Sequence, residues 1–420
     1  MKEGYKKTEL GLVPNEWNLL RINEITKEHK QGYYAQNKYE EKGTYLVRIT
    51  DLNNPQIKYT QMPKLDVDNE IIEQYKLKDG DFLFARSGAI GRYGIYKKEY
   101  PKTIFASYLI RFRFNTSKVI NEYVGYFYES DYSQKQLKAI TQGSSNININ
   151  ANNIKSLLMC VPPLKEQEKI ADILSTIAYQ IEDTDRLIEK TKELKKGLMQ
   201  RLLTKGIGHK EFKKTEVGEI PVEWEVKLLE EVSRITRLAG AEYSDLWEIQ
   251  SNGKIIALKG FNIGENKLIL NDIERISEEL SNRLIRSKLF KGDIVFPCVG
   301  TIGKATVIDR DNAYHINQNI AKITPVKQMH SLYLSYFLIS DFVKKQILKY
   351  NTSSSQPNVL VGNLRRFNII VPTIEEQEKI ADVLSSIDAQ IEEYENKNIK
   401  LKELKKGLMQ QLLTGKIRVI

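Results

Sequence analysis

Two ten-residue strings, KKGLMQRLLT ending at Thr204 and KKGLMQQLLT ending at Thr414, differ at one position and stand 210 residues apart. Periods of about 20–50 residues build solenoids. A period of 210 has the size of a domain instead, so the chain must fold as a duplicated unit. The similarity extends upstream. EQEKIADILSTI (166–177) matches EQEKIADVLSSI (376–387), again 210 apart. YKKTELGLVPNEW (5–17) pairs with FKKTEVGEIPVEW (212–224) at a shift of 207, and DGDFLFARSGAIGR (79–92) with KGDIVFPCVGTIGK (291–304) at 212. The drifting shift means small insertions between matched islands. The 420 residues are two tandem copies of one unit, each a variable body followed by a long helix. Helix ends and Trp-containing openings are nearly copied, while the bodies share only scattered Gly, Asp and aromatic positions. Such uneven divergence points to a common frame carrying bodies that read different things.

The helices follow from spacing. Ile170, Leu174, Ile177, Ile181, Thr184, Ile188, Thr191, Leu198 and Leu202 recur at intervals of three and four, and so do Ile380, Leu384, Ile387, Ile391, Tyr394, Leu401, Leu408 and Leu412, with Asn398 and Lys405 as polar breaks. A narrow apolar stripe of this kind is a coiled-coil seam. Pro162 and Pro163 mark the first start, and Thr373 with Glu376 has capping-box spacing at the second. At about 1.5 Å per residue, each predicted helix spans roughly 60 Å. The alternative is a pair of amphipathic helices, each lying on its own domain.

The bodies show short apolar runs bounded by Gly- and Asn-rich turns, the pattern of strands. TYLVRITDL, GDFLFARSG, KTIFASYLIRFRF and KSLLMCVPP are predicted strands of the first body; KIIALKGFNI, GDIVFPCVG, NIAKITPV and FNIIVP play that part in the second. INEYVGYFYES and SLYLSYFLISDFVKKQILKY are predicted helices. The fold class is therefore α+β: two bodies with irregular twisted sheets, joined by two long helices. The predicted division is 1–160 and 216–370 for the bodies, 161–204 for the first long helix, 205–215 for a linker, and 371–420 for the second long helix and tail.

Catalytic signatures are missing. GTIGKA (300–305) lacks the spacing and terminal hydroxyl of a phosphate-binding loop. No glycine fingerprint opens a helix after a strand, which argues against a methyl-donor pocket. The four histidines are scattered, without metal-ligand spacing, and no acidic cluster suits a metal-dependent nuclease. No metal site and no catalytic residue is assigned. Cys160 and Cys298 stand alone, as buried thiols of a reducing compartment do. With neither an apolar leader nor a membrane-length apolar run, a cytoplasmic location is expected.

A net charge of +10 favours a polyanionic partner, and certain loops suit nucleic acid. QGYYAQNK sets Tyr33 and Tyr34 beside amides, and ARSGAIGRYG places Arg86, Ser87 and Arg92 around small residues. TQGSSNININANN carries Ser144, Ser145, Asn146 and Asn148; NTSSSQPNV carries Ser354, Ser355, Gln356 and Asn358. Arg48, Arg234, Arg237, Lys259, Lys304, Asn317 and Gln318 complete the candidate DNA contacts. Arg pairs with guanine, Asn and Gln pair with adenine, and hydroxyls hold phosphates. Each of these loops is also readable as a solvated turn or tight hairpin.

The duplicated EQEKIAD helix openings just after a proline (Pro163 and Pro372), the ELKKGLMQ-x-LLT endings and the VG-x-IP-x-EW segment together resemble the specificity subunit (HsdS) of type I restriction–modification systems, over the whole chain. The resemblance implies two target-recognition domains, each reading one half of a bipartite DNA sequence. It also implies an antiparallel coiled coil that sets the spacer, and pseudo-two-fold symmetry. Two modification methyltransferase subunits (HsdM) would dock on the frame and methylate adenine, with restriction/motor subunits (HsdR) joining them. S-adenosylmethionine, ATP and Mg would then sit on those partners, and this chain would need no cofactor. Two other readings stand beside it: a coiled-coil scaffold that binds only proteins, and a self-contained DNA methyltransferase.

Overall fold

Each copy opens with a two-stranded hairpin, Tyr5–Thr8 with Gly11–Pro14 and Phe212–Thr215 with Gly218–Pro221. The two turns are closed alike. Gly11 and Gly218 take φ of 100° and 111°, a region open to Gly at no steric cost, and the Thr8 and Thr215 hydroxyls donate to their carbonyls at 2.8 and 2.7 Å. The hairpin delivers a fully buried tryptophan, Trp17 or Trp224. Its indole N–H donates to the carboxylate of Glu166 (3.0 Å) or Glu376 (2.8 Å), in the first turn of a long helix. The next residue, Gln167 or Gln377, is buried too. Its Oε1 accepts from the Ile120 or His330 amide, at 3.0 and 2.8 Å, and its Nε2 donates to the Pro162 or Pro372 carbonyl. The Glu-Gln pair opening each copied EQEK string is thus a joint between body and helix, buried at Glu166, Gln167 and Gln377 and half-buried at Glu376. A buried charge or amide tolerates little change because its partners must all be kept.

The computed structural model describes residues 3–35, 38–86, 91–141, 149–238, 240–351 and 358–419. The chain divides into two units, Met1–Asp185 with Asn396–Ile420, and Arg186–Glu395. In unit 1 an antiparallel sheet runs in the order Tyr93–Ile95, Phe82–Ala85, Leu109–Phe114, Thr26–Gln31. A second sheet places Thr44–Val47 between Thr103–Phe105, parallel to it, and Lys64–Leu65. Unit 2 repeats both. Its first sheet is Ser233–Thr236, Ile320–Pro325, Ile294–Pro297, Thr306–Val307; its second centres Ile255–Leu258 between Glu274–Ile276 and the parallel Tyr314–Ile316. A last strand, Leu158–Val161 or Asn368–Val371, returns to pair with Asn18–Arg21 or Glu225–Leu228 and leads into the long helix.

The long helices are Leu164–Lys205 and Ile374–Leu412, 42 and 39 residues. Within unit 1, the Asn398 side-chain amide donates to Asp185 (2.7 Å), and Arg418 beyond the second helix binds Glu166 at 2.6 Å. Within unit 2, Lys192 meets Glu395 (2.7 Å) and Lys195 meets Asp388 (2.6 Å). In both units, rising numbers on one helix meet falling numbers on the other, so the pairing is antiparallel. Ile170, Leu174, Ile177, Ile188, Leu202, Ile380, Leu384, Ile387, Ile391 and Leu412 are buried, whereas Ile181, Leu198, Leu401 and Leu408 are half-buried. Thr184, Thr191 and Asn398 are buried polar members of the stripe; each Thr hydroxyl turns back on its own helix, to Gln180 or Leu187.

Several local expectations are corrected. The capping box at Thr373 is half made. The Thr373 hydroxyl accepts from the Glu376 amide at 3.4 Å, but the Glu376 carboxylate goes to Trp224 and His209. The 331–350 run is two helices, Ser331–Leu338 and Asp341–Tyr350, because Ser340 caps the second through the Val343 amide. TYLVRITDL and KIIALKGFNI are not unbroken strands: each ends in a 3-10 turn, Ile49–Asp51 or Gly260–Asn262. Both cysteines are buried and unpaired.

Candidate nucleic-acid interface

The 3-10 turns show how each unit builds a polar edge. Asp51 Oδ2 accepts from the Arg48 amide at 2.8 Å, and Asn262 Oδ1 from the Lys259 amide at 2.9 Å. Asn262 also donates to the Ile269 and Asp272 carbonyls, so its amide is fully used. A short polar side chain that bonds the backbone this way competes with the strand ladder and ends it.

Next to each turn a second junction recurs. In unit 1 the Arg86 amide donates to the Tyr108 carbonyl (2.9 Å), and the Arg86 carbonyl accepts from the Ile149 amide (2.8 Å). In unit 2 the Cys298 amide donates to Asn319 (2.8 Å), and its carbonyl accepts from Val359 (2.9 Å). The Asn54 side chain holds the Gly91 carbonyl at 2.9 Å, and Thr301 holds the Gly260 carbonyl at the same distance. One set of bonds therefore gathers four segments distant in sequence: the 3-10 turn, the Gly-rich turn, the start of a central strand and the end of the Asn/Ser run. The backbone bonds of this assembly are the same in both units, whereas the side-chain bond differs: it runs from Asn54, just past the 3-10 turn, to Gly91 in unit 1 and from Thr301 to Gly260, inside the turn, in unit 2.

The candidate contacts fall around this edge in different states. In unit 1, Tyr34 and Arg92 are exposed, while Tyr33 is half-buried against Tyr75 at 5.4 Å. Arg48 is engaged internally, by Asp51 at 3.0 Å and the Gln61 carbonyl at 3.1 Å. In unit 2, Arg234 is exposed on the edge strand Ser233–Thr236, and Arg237 is exposed just past its end. Thr236 pairs with Lys322, so Arg237 lies nearer than Arg234 to the Pro297–Ile320 pair. Lys259 is ion-paired to Glu274, and Lys304 is half-buried. Asn317 is buried and accepts from the Asn319 amide at 3.0 Å. Gln318 is half-buried, and its Oε1 has no protein partner. The Asn358 amide donates to Asn351 at 3.0 Å. Ser87, Ser144, Ser145, Asn146, Asn148, Ser354, Ser355 and Gln356 lie outside the described residues.

Three exposed aromatics at this edge were not singled out from sequence: Tyr39, Tyr108 and Phe261. Tyr108 and Phe261 sat inside strings read as strands. A break in strand alternation at SYL and at KGFN was the available signal. Cys298 stands where unit 1 has Arg86, but burial pushes its thiol up to about 11, which keeps it protonated and unreactive. Among the described residues no group of acids, histidines and cysteines is arranged to hold a metal. No described helix is long and apolar enough to cross a membrane.

Known proteins bear on this arrangement. A specificity subunit of the type I restriction enzyme MjaVIII, from Methanocaldococcus jannaschii, is 29% identical over 437 residues, covering all of this chain and 97% of the relative. The crystal structure of a type I restriction–modification system S subunit from M. genitalium superposes with a TM-score of 0.61 at 14% identity, over 94% of this chain and 96% of that one. A chain from a structural study of complex assembly and conformational transition in the type I R-M system gives 0.56 at 17%, over 96% and 99%. At these identities the two structures speak for the fold. The family profile described as "Type I restriction modification DNA specificity domain" matches twice, over residues 14–193 and 221–403. The chain, with its two tandem copies of that domain, belongs to the type I restriction–modification specificity family.

Proposed function

We propose that the chain is the non-catalytic DNA-recognition subunit of a type I restriction–modification complex and acts in the cytoplasm. Each unit reads one half of a bipartite duplex sequence at the edge just described, and the paired long helices set the unread spacer between halves. The repeated gathering of three loop segments by the same backbone bonds, with a side-chain bond tying in the 3-10 region of each unit, supports this most directly: a frame kept in both units displays different side chains on each. Arg86, Arg92, Tyr34 and the segment from Ile149 to Asn153 belong to the first edge; Arg237, Lys304, Gln318, Asn351 and Asn358 belong to the second.

Methylation of adenine and restriction then fall to partner subunits, two methyltransferase chains and the motor/nuclease chains. S-adenosylmethionine, ATP and Mg are theirs to bind. The nearly identical 195–204 and 405–414 segments, with Leu194 and Leu404 about equally exposed, suit two copies of one partner. A scaffold binding only proteins would show no salt-dependent affinity for duplex DNA.

The test is a body exchange. Residues 20–155 are replaced by the body of a relative, and methylated adenines are mapped in cells carrying the chimera and methyltransferase partners. One half of the target changes and the other stays. A target altered in both halves, or unaltered, overturns the reading.

A further inference from the structure

The two 3-10 turns have the same clamp and different tips. Arg48 and Lys259 open them; Asp51 and Asn262, 6% and 1% exposed, close them from inside. Between lies one outward residue, Thr50 in unit 1 and Phe261 in unit 2. Phe261 is 47% exposed although the turn beneath it is held from three sides. Asn262 makes its three hydrogen bonds, Thr301 donates to the Gly260 carbonyl, and Lys259 sits 5.9 Å from the ring centre. Gly260 permits that approach, because a Cβ there would stand 2.9 Å from the Thr301 hydroxyl and would push it aside. A large apolar ring, about half exposed and with Lys259 over it, is thus presented on a stiff support at a polar edge.

Phenylalanine has no group for a phosphate or for a base hydrogen bond. On the major-groove face of a stacked duplex, the one apolar group that varies with sequence is the thymine C5 methyl, and Phe is among the side chains that meet it. We propose that Phe261 is a specificity-determining residue that contacts a thymine methyl in the half-site read by unit 2. This rests on the reading of that edge as a DNA surface. Thr50 offers only a small methyl at the equivalent place, so the two tips distinguish the half-sites by bulk on an unchanged turn. Rigidity of the support matters here, since an anchor ordered before binding loses little freedom on contact.

The full chain assembled with methyltransferase subunits is titrated with duplexes carrying the mapped target, with uracil replacing each thymine in turn. Uracil lacks only the C5 methyl. One thymine of the second half-site should be sensitive, uracil there weakening binding about fourfold, as expected for one buried methyl. Phe261→Ala should weaken binding to the thymine duplex about tenfold and abolish the uracil effect, the non-additivity that marks direct contact. Phe261→Leu should keep part of both effects, and uracil effects in the first half-site should be untouched. Being exposed, the ring can be removed without unfolding, which an unchanged melting temperature verifies.

A second half-site without thymine on either strand overturns the assignment. So does a uracil effect that persists in Phe261→Ala, or affinity unchanged by that substitution. In those outcomes the wild-type complex still discriminates its target, and the DNA edge stands without Phe261. A wild-type complex with no sequence preference in the second half-site overturns both.

Discussion

At the centre of unit 1, the Tyr93 ring stacks on Phe82 at 5.0 Å and fills the space over Gly125, where a Cβ would stand 2.4 Å from that ring. The corresponding pair in unit 2 is Ala305 and Ser335, both fully buried. The same trade recurs nearby: Phe82, Phe112 and Tyr128 correspond to Ile294, Ile323 and Leu338, all buried. Tyr123 and Tyr333 are kept, and their hydroxyls donate to Cys160 and Ile370 carbonyls at 2.8 and 2.9 Å. The units hold one topology through joints and caps while filling it with different side-chain volumes. Close-packed interiors accept such exchanges only in compensating sets. Bodies should therefore be exchangeable whole and resist exchange residue by residue.

The largest effect should come from the helices the units share. Two extra residues near Thr191 and Leu401 turn each stripe by about 200° and should abolish methylation in cells, because the seam no longer faces its partner. Four residues turn it only about 40° past a full turn and add roughly 6 Å. Such a variant should methylate the same two half-sites across a spacer longer by about two base pairs. An unchanged spacer in an active four-residue variant removes the ruler.

Next in size is the core. Tyr93→Ala should cost about 3–5 kcal/mol in unit 1, read by hydrogen exchange of its central strands in the intact chain. Adding Gly125→Ser should recover part of the loss by copying the pairing of unit 2, and Gly125→Ser alone should cost about 1–3 kcal/mol through overpacking. Strictly additive losses would mean that the two interiors are not alternative solutions to one packing problem.

A smaller difference is expected at the helix joints. Glu166 accepts from Trp17 and is held by Arg418, which also reaches Glu16; Glu376 accepts from Trp224 and meets His209 at 2.9 Å. Arg418→Ala leaves a buried carboxylate without its cation and should cost about 3 kcal/mol. His209→Ala should cost less, since Glu376 keeps both the indole and the Ile207 amide at 2.9 Å. Thermal melting of the two variants at pH 8 compares them, and equal losses would make the joints energetically alike.

Smallest, and confined to one half-site each, are Arg92→Ala and Lys304→Ala. A base-reading side chain should cost about 1–3 kcal/mol at one position of its own half-site. A phosphate contact should weaken all sequences evenly and reduce the salt slope by about one. Wild-type affinity in both variants would remove them from the interface.

Much of this was legible in the chain alone. The duplication, the α+β bodies and the two long helices follow from repeated strings and apolar spacing, because periodicity is a local property written into consecutive residues. Even the copied EQEK strings announced importance, although not its kind: their Glu-Gln pairs proved to be joints between body and helix, which nothing in their polar composition suggested. Tertiary structure decided the rest. It set which residues of the apolar stripe are buried, giving Thr184, Thr191 and Asn398 places inside while Ile181 and Leu401 stay half-exposed. It ended two expected strands in clamped turns, and so turned Phe261 outward and Asn262 inward. It drew Arg48 and Lys259 into internal ion pairs with Asp51 and Glu274. The physical reason is distance along the chain. Helix and strand depend on neighbours a few residues away, whereas the candidate edge exists only where Arg86 meets Tyr108 and Ile149, and where Cys298 meets Asn319 and Val359.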